Sequence, residues 1–321
     1  MHLECIARMN RARLSKMHFD PTTGRGQFLR RPFLRQLAGA LFACIVCSFW
    51  SSAQTSARVH FRLQTRESLE GRLKSFSDKN GEREALVRKW FAESGCKDAN
   101  LSEQAVDRKL PPNVICVLPG ETQEVIVVGA HTDKVENFGD GVVDNWTGAV
   151  LLPALLYSLS AQPRHHTLIF IGFSGEEKGL VGSRYYADRL TSEQRARIEG
   201  MVNFDSLGLG PTEVWVSHAD KVLLDALASV AAASKIRVTA MNVPEGASAD
   251  SESFARYQIP RITLHSVTEQ TWSILHSPFD KLAAVRMNDY YDSYKLIADY
   301  LAYLDEALKP PPAPQPGRAP Q

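Results

Sequence analysis

The sequence predicts an α/β fold with a largely parallel sheet, and three observations predict it. Between residues 54 and 308, short apolar runs alternate with segments of helical spacing, as strands joined by crossover helices do. Polar and ionisable residues gather just past the ends of those runs, where open α/β sheets place their sites. No internal repeat is visible, and a stretch of about 255 residues suits one domain of this class.

Taken in order, residues 67–76 and 82–91 have helical spacing, broken by 78–81, and are expected to pack on one sheet face. Residues 113–118 and 124–129 are short apolar runs around the turn Pro119-Gly120-Glu121-Thr122, which reads as a hairpin. Further strands are expected at 167–172, 201–204, 213–216, 237–241 and 261–265. Helices are expected at 147–160, 181–190, 221–233 and 288–304. Residues 309–321 (KPPPAPQPGRAPQ) are Pro-rich without apolar periodicity and read as a disordered tail.

At 321 residues, 44% hydrophobic and 23% charged, the chain is too apolar for a disordered protein. Lys and Arg number 37 against 36 Asp and Glu, which leaves no basic footprint for sequence-independent nucleic-acid binding. That balance hides an asymmetry. Residues 1–53 hold eight basic and two acidic residues, so 54–321 hold 29 basic and 34 acidic ones. The basic prelude meets an apolar run at 37–50 (LAGALFACIVCSFW), too short to span a bilayer and of signal-core length. Residues 1–53 therefore read as an export signal, with cleavage near Ala53 or Ala57 and a periplasmic or secreted product. Arg30-Arg31-Pro32-Phe33-Leu34 resembles a twin-arginine signal, so that route and general secretion both stay open. The competing readings are an uncleaved anchor, the chain's only expected tie to a membrane, or a true start at Met17.

Cys5, Cys44 and Cys47 lie in the prelude, which leaves Cys96 and Cys116 in the mature part, free to pair in an oxidising compartment. No C-x-x-C remains for a thiolate metal site, so any metal falls to His and carboxylates.

Five segments supply those groups. His131-Thr132-Asp133 directly follows a strand; a nearby carboxylate can fix a ligating imidazole's tautomer, or the pair can simply cap a loop. Asp144-Asn145-Trp146-Thr147-Gly148 opens a helix, where Asp144 is a ligand or a flanking charge. Glu176 and Glu177 sit among glycines after the run at 167–172. Neighbouring residues point different ways, so one carboxylate can bind a metal while the other holds a water, unless the segment is a solvated acidic turn. Asp205 ends the run at 201–204, and His276-Ser277-Pro278-Phe279-Asp280 adds an imidazole with a nearby carboxylate. Two His and three ligating carboxylates are enough for two Zn²⁺ ions that share one Asp.

The order H-x-D, D-N-x-[ST]-G, E-E-x-G-L-x-G-S, D-x-x-G and H-[ST]-x-x-D resembles the M28 family of zinc aminopeptidases over nearly the whole of 54–308. The resemblance implies a three-layer α/β/α domain of the zinc exopeptidase, phosphorylase/hydrolase-like kind, with a mixed, mostly parallel sheet of about eight strands. It implies that Asp144 bridges two zinc ions, that His131 and Asp205 complete one site, and that Glu177 and His276 complete the other. A metal-bound hydroxide is then the nucleophile and Glu176 the general base, with Asp133 orienting His131 and Asp280 doing the same for His276. The implied substrate is a peptide with a free N-terminus, its α-amine completing one metal's coordination. Ala249-Asp250-Ser251 stands where many relatives have Ser-Asp-His, and Gly246 where some secreted relatives carry an oxyanion-stabilising Tyr. A glutaminyl cyclase shares the implied fold with a single zinc, and the intact His131 and Asp205 argue against it. A binding scaffold would have no use for the base Glu176. Tyr257 and Trp272 read as packing aromatics near the pocket, His165 and His166 as solvated, His218 and His265 as able to touch the cleft, and His60 as surface.

Overall fold

In a computed structural model describing residues 62–308, apart from 244 and 245, alternation along the strands builds two cores on opposite faces of one sheet. In chain order the elements are α1 (Arg66–Leu73), α2 (Asn80–Glu93), β1 (Leu101–Gln104), β2 (Asn113–Leu118), β3 (Val125–His131), α3 (Thr147–Leu159), β4 (Thr167–Phe173), α4 (Val181–Arg189) and α5 (Ser192–Ala196). They continue with β5 (Ile198–Phe204), β6 (Thr212–Trp215), α6 (Lys221–Ser234), β7 (Val238–Met241), α7 (Glu252–Ala255), β8 (Arg261–His265) and α8 (Met287–Ala307). The export signal read over 1–53, the tail over 309–321 and His60 lie outside the described residues.

The eight strands run in the order β1-β2-β4-β3-β5-β8-β6-β7. The central β4, β3, β5 and β8 are parallel, whereas β1–β2, β2–β4 and β8–β6 pair antiparallel. The sheet is thus mixed and mostly parallel, with helices on both faces. Ile126, Val128 and Ala130 of β3, Val202 and Phe204 of β5, and Ile262 and Leu264 of β8 face the larger core, with α1, α2, α3, α6 and α8. Val127 and Met201 face the smaller core, with Tyr186 of α4 and Phe254 of α7. A helix apolar all round is one buried all round, and α3 is buried along nearly its whole length.

The expected hairpin at 113–129 does not form. β4 lies between β2 and β3 and pairs with both, so the turn at 119–124 steps over the start of β4. The turn is held there by Glu121 N donating to Arg164 O (2.9 Å), Thr122 N to His165 O (3.0 Å) and Thr167 N to Glu124 O (2.8 Å). A Cβ on Gly120 would meet His166 O at 2.3 Å, so only glycine lets the turn lie this close to the incoming strand. Strand β1, also unforeseen, extends the edge beyond β2. Just before it, Cys96 pairs with Cys116 of β2 in a disulfide, Cα atoms 6.2 Å apart.

Candidate metal centre

The register of three parallel strands sets the first part of the site. Gly129 of β3 pairs with Asn203 of β5, and Phe204 of β5 with Leu264 of β8. His131, Asp205 and His265 therefore stand in one row at the carboxyl edge, on the face opposite the larger core. His131 Nδ1 donates to the main-chain carbonyl of Asp133 at 3.1 Å, so that in the neutral ring Nε2 carries the lone pair. That nitrogen lies 3.1 Å from Asp144 Oδ1 and 3.7 Å from Asp205 Oδ1.

Asp144 sits in a tight turn before α3 whose motif residues each have a structural duty. Asn145 donates to Phe204 O (2.8 Å) and accepts from Gly148 N (3.0 Å) and Ser206 N (3.2 Å), which ties the turn to the end of β5. Thr147 Oγ1 donates to Val143 O (2.8 Å) and accepts from Leu207 N (3.1 Å). A Cβ at Gly148 would meet Asn145 Oδ1 at 2.5 Å and Phe204 O at 2.9 Å, so the helix start packs on β5 only with glycine there.

After β4, the backbone turns at Gly175, in the left-handed region, into a short helical turn at Glu176–Lys178. The Asp133 carboxylate accepts the N–H groups of Glu176 (3.1 Å) and Glu177 (3.3 Å). Its Oδ1 is 3.7 Å from His131 Nδ1, farther than its own carbonyl. The side chain expected to orient His131 thus chiefly anchors the two glutamates, while its main chain holds the imidazole. Asp280 also differs from expectation. Its carboxylate accepts from Val143 N (2.7 Å) and Asp144 N (3.2 Å), so it fixes the Asp144 backbone rather than the ring of His276.

The arrangement brings His131, Asp144, Glu176, Glu177, Asp205 and His276 together around one cleft of about 390 Å³. The ligand atoms of His131, Asp144 and Asp205 lie within 4.8 Å of one another, as do those of Asp144, Glu177 and His276. Asp144 turns Oδ1 to His131 and Oδ2 to His276, each at 3.1 Å, and His276 Nε2 is 3.0 Å from Glu177 Oε2. Burial pushes the carboxyls of Glu176, Glu177 and Asp205 upward, and the Asp144 charge adds to the shift in each. For Asp144, burial is outweighed by the two imidazoles, which hold its carboxyl below the ordinary range. His131 is held well above 6.5 because Asp133, Asp144 and Asp205 outweigh its burial, and Asp144 and Glu177 raise His276 to about 10.

These groups fit divalent metal. The nitrogen and oxygen donors are those zinc takes, and each trio offers three ligands, leaving room for water or substrate. Glu177 Oε1 is buried without a partner among the described residues, and a cation would also relieve the mutual repulsion of the packed carboxylates.

Sequence reasoning missed Arg83. This fully buried guanidinium of α2 donates to Thr132 O (2.6 Å), Gly141 O (2.8 Å) and Asp140 O (3.3 Å), and lies 4.9 Å from the Trp146 ring. It pins both ligand-bearing loops. Burial lowers it to about 10, against the charges of Asp133, Asp280, Asp144 and Glu177. Its signal lay in the helical repeat: Arg83 shares the apolar stripe of Val87, Trp90 and Phe91. His166, expected to be solvated, is fully buried between Asp305 (3.1 Å) and Glu199 (3.3 Å), because β4 starts beneath the end of α8. His218 stacks on Trp215 and bonds Glu252 (2.7 Å); His265 and Trp272 line the cleft, and Tyr257 donates to Asp188 (2.6 Å). Burial lowers His265 to about 4, so its ring is neutral.

Residues 113–301 match the sequence profile of Peptidase family M28. Aminopeptidase YwaD of Bacillus subtilis (strain 168) is 27% identical over 198 residues, 58% of this chain and 43% of that protein. The solved structure of BSAP, a zinc aminopeptidase from Bacillus subtilis, superposes with a TM-score of 0.55 at 21% identity, over 60% of this chain and 49% of that one. An Acidobacteriales bacterium glutaminyl cyclase shares the fold with a TM-score of 0.62 at 16% identity, over 76% of this chain and 96% of that one. The chain spans less than half the length of the two aminopeptidases.

Proposed function

The chain belongs to peptidase family M28, and on that premise we propose that it is an exported aminopeptidase that removes the first residue of peptides with the help of two zinc ions. One observation carries the reading: the Asp144 carboxylate presents a different oxygen to each of two ligand trios. His131, Asp144 and Asp205 would hold one ion, and Asp144, Glu177 and His276 the other. Zinc bound there would supply Lewis acidity, polarising the scissile carbonyl and lowering the pKa of water.

Glu176 is the general base. It lines the same cleft, where burial raises its carboxyl pKa. It takes a proton from the attacking water as the C–O bond forms and returns it to the departing amine as the C–N bond breaks. Asp133 holds the Glu176 and Glu177 N–H groups, and so sets where both side chains start. The basic prelude with its apolar core at 37–50 and the Cys96–Cys116 disulfide both support export to an oxidising compartment.

The test is metal analysis together with hydrolysis of amino-acid anilides, with and without chelator. Two zinc per chain and chelator-sensitive hydrolysis are expected. Glu176→Gln should keep the metals and lose hydrolysis, and a fully active Glu176→Gln would remove Glu176 as the base. One zinc, with ammonia released from glutaminyl peptides and no amine freed, would replace the reading with cyclisation. Peptide binding without cleavage would make the chain a scaffold.

A further inference from the structure

His131 and Asp205 serve the metal centre, and His265 stands next in their row, one strand or about 4.8 Å further on. It lines the cleft with Thr263, which lies two residues earlier on the same side of β8. His265 is 3% exposed. Its Nδ1 accepts the Val267 N–H at 3.2 Å, which places the ring proton on Nε2. That donor has no partner among the described residues, a costly condition for a buried N–H. Thr263 Oγ1 meets Ser251 Oγ at 2.8 Å, and one of its lone pairs remains to accept. Trp215, Val267, Trp272 and Leu275 make the other walls apolar. Among the described residues, the metal-centre groups bring the only formal charges lining the cleft.

We propose that His265 and Thr263 make this pocket selective for a first residue with a side-chain carboxamide, glutamine or asparagine, a deepening that rests on the aminopeptidase reading. The amide oxygen accepts from His265 Nε2–H, and the amide N–H donates to Thr263 Oγ1. An aliphatic side chain of similar size leaves the His265 donor unmet, and a charged one finds no opposite charge in the walls.

The test compares kcat/KM for glutamine and leucine p-nitroanilides in the zinc-loaded full chain, its His265→Phe and Thr263→Val variants, and His265→Gln, which keeps a side-chain N–H. Binding of free glutamine and leucine is measured calorimetrically on the same proteins. The glutamine-to-leucine ratio should fall about tenfold in His265→Phe and severalfold in Thr263→Val, with partial recovery in His265→Gln. A ratio unchanged in folded variants, in both kinetics and binding, overturns the proposal; should His265→Phe fail to fold, Thr263→Val alone decides. If no anilide is cleaved but glutamine still outbinds leucine in a His265-dependent way, the aminopeptidase reading falls and the pocket assignment stands.

Discussion

Replacing Arg83 with Met isolates the role of one buried charge beneath the metal centre. Its two short bonds, to Thr132 O at 2.6 Å and Gly141 O at 2.8 Å, are hydrogen bonds to a charged donor. Such bonds contribute about 1.5–3 kcal/mol each, so the pair contributes roughly 3–6 kcal/mol. Met fills much of the volume and removes the desolvation penalty of a buried guanidinium, which returns part of that loss. The expected net destabilisation is about 3 kcal/mol, or a fall in melting temperature of roughly 6–12 °C for a domain of this size. Arg83→Lys keeps the charge but cannot bridge two carbonyls with a planar fork, so it should recover only part of the loss. Urea unfolding and calorimetry of the three proteins decide the matter. An Arg83→Met protein within about 0.5 kcal/mol of wild type would refute the reasoning, since it would mean the loop carbonyls need no donor.

Asp280→Ala should weaken zinc binding about 10- to 100-fold in competition with a chromogenic chelator, because Val143 N and Asp144 N lose their acceptor and the proposed shared ligand, Asp144, loses its support. Stability should depend on pH through the Asp305–His166–Glu199 bridge. Burial lowers the His166 pKa, but bonds to Asp305 and Glu199 outweigh it and raise the value above 6.5. The contribution is therefore complete below the unfolded-state pKa and is lost as pH rises through the folded one, and His166→Gln should remove that alkaline decline from urea-unfolding curves. Asp305 acts at the acid end. Its lowered carboxyl contributes above the unfolded-state pKa, and the contribution disappears as pH falls through the folded value. Reducing the Cys96–Cys116 bond, which closes a loop with a sequence separation of 20, should cost about 3 kcal/mol by denaturant unfolding of the oxidised and reduced protein.

Most strands and helices were legible in the sequence because burial on two sheet faces imposes apolar runs that local pattern reveals. The candidate metal centre was legible for a different reason. Its proposed ligands are His, Asp and Glu, and parallel strands deliver such residues at their carboxyl ends, so His131 and Asp205 announce themselves by following apolar runs. The glycines and hydroxyls between the ligands were visible as letters only. That Gly148 is demanded by Phe204, or Thr147 by Leu207, depends on contacts between segments about sixty residues apart.

By itself, the sequence determined which side chains can hold metal, which can carry a proton, and roughly where every strand but β1 ends. Tertiary structure alone decided strand order, and with it the intrusion of β4 between β2 and β3, because pairing partners are chosen by the whole sheet and not by the turn that joins two runs. It also decided what the neighbouring carboxylates do: Asp133 and Asp280 hold backbone N–H groups, a role no side-chain spacing can encode. Arg83 and His265 belong to the same class. A buried charge or an unmet N–H is defined by what surrounds it, and the surroundings of both come from loops and strands remote in sequence.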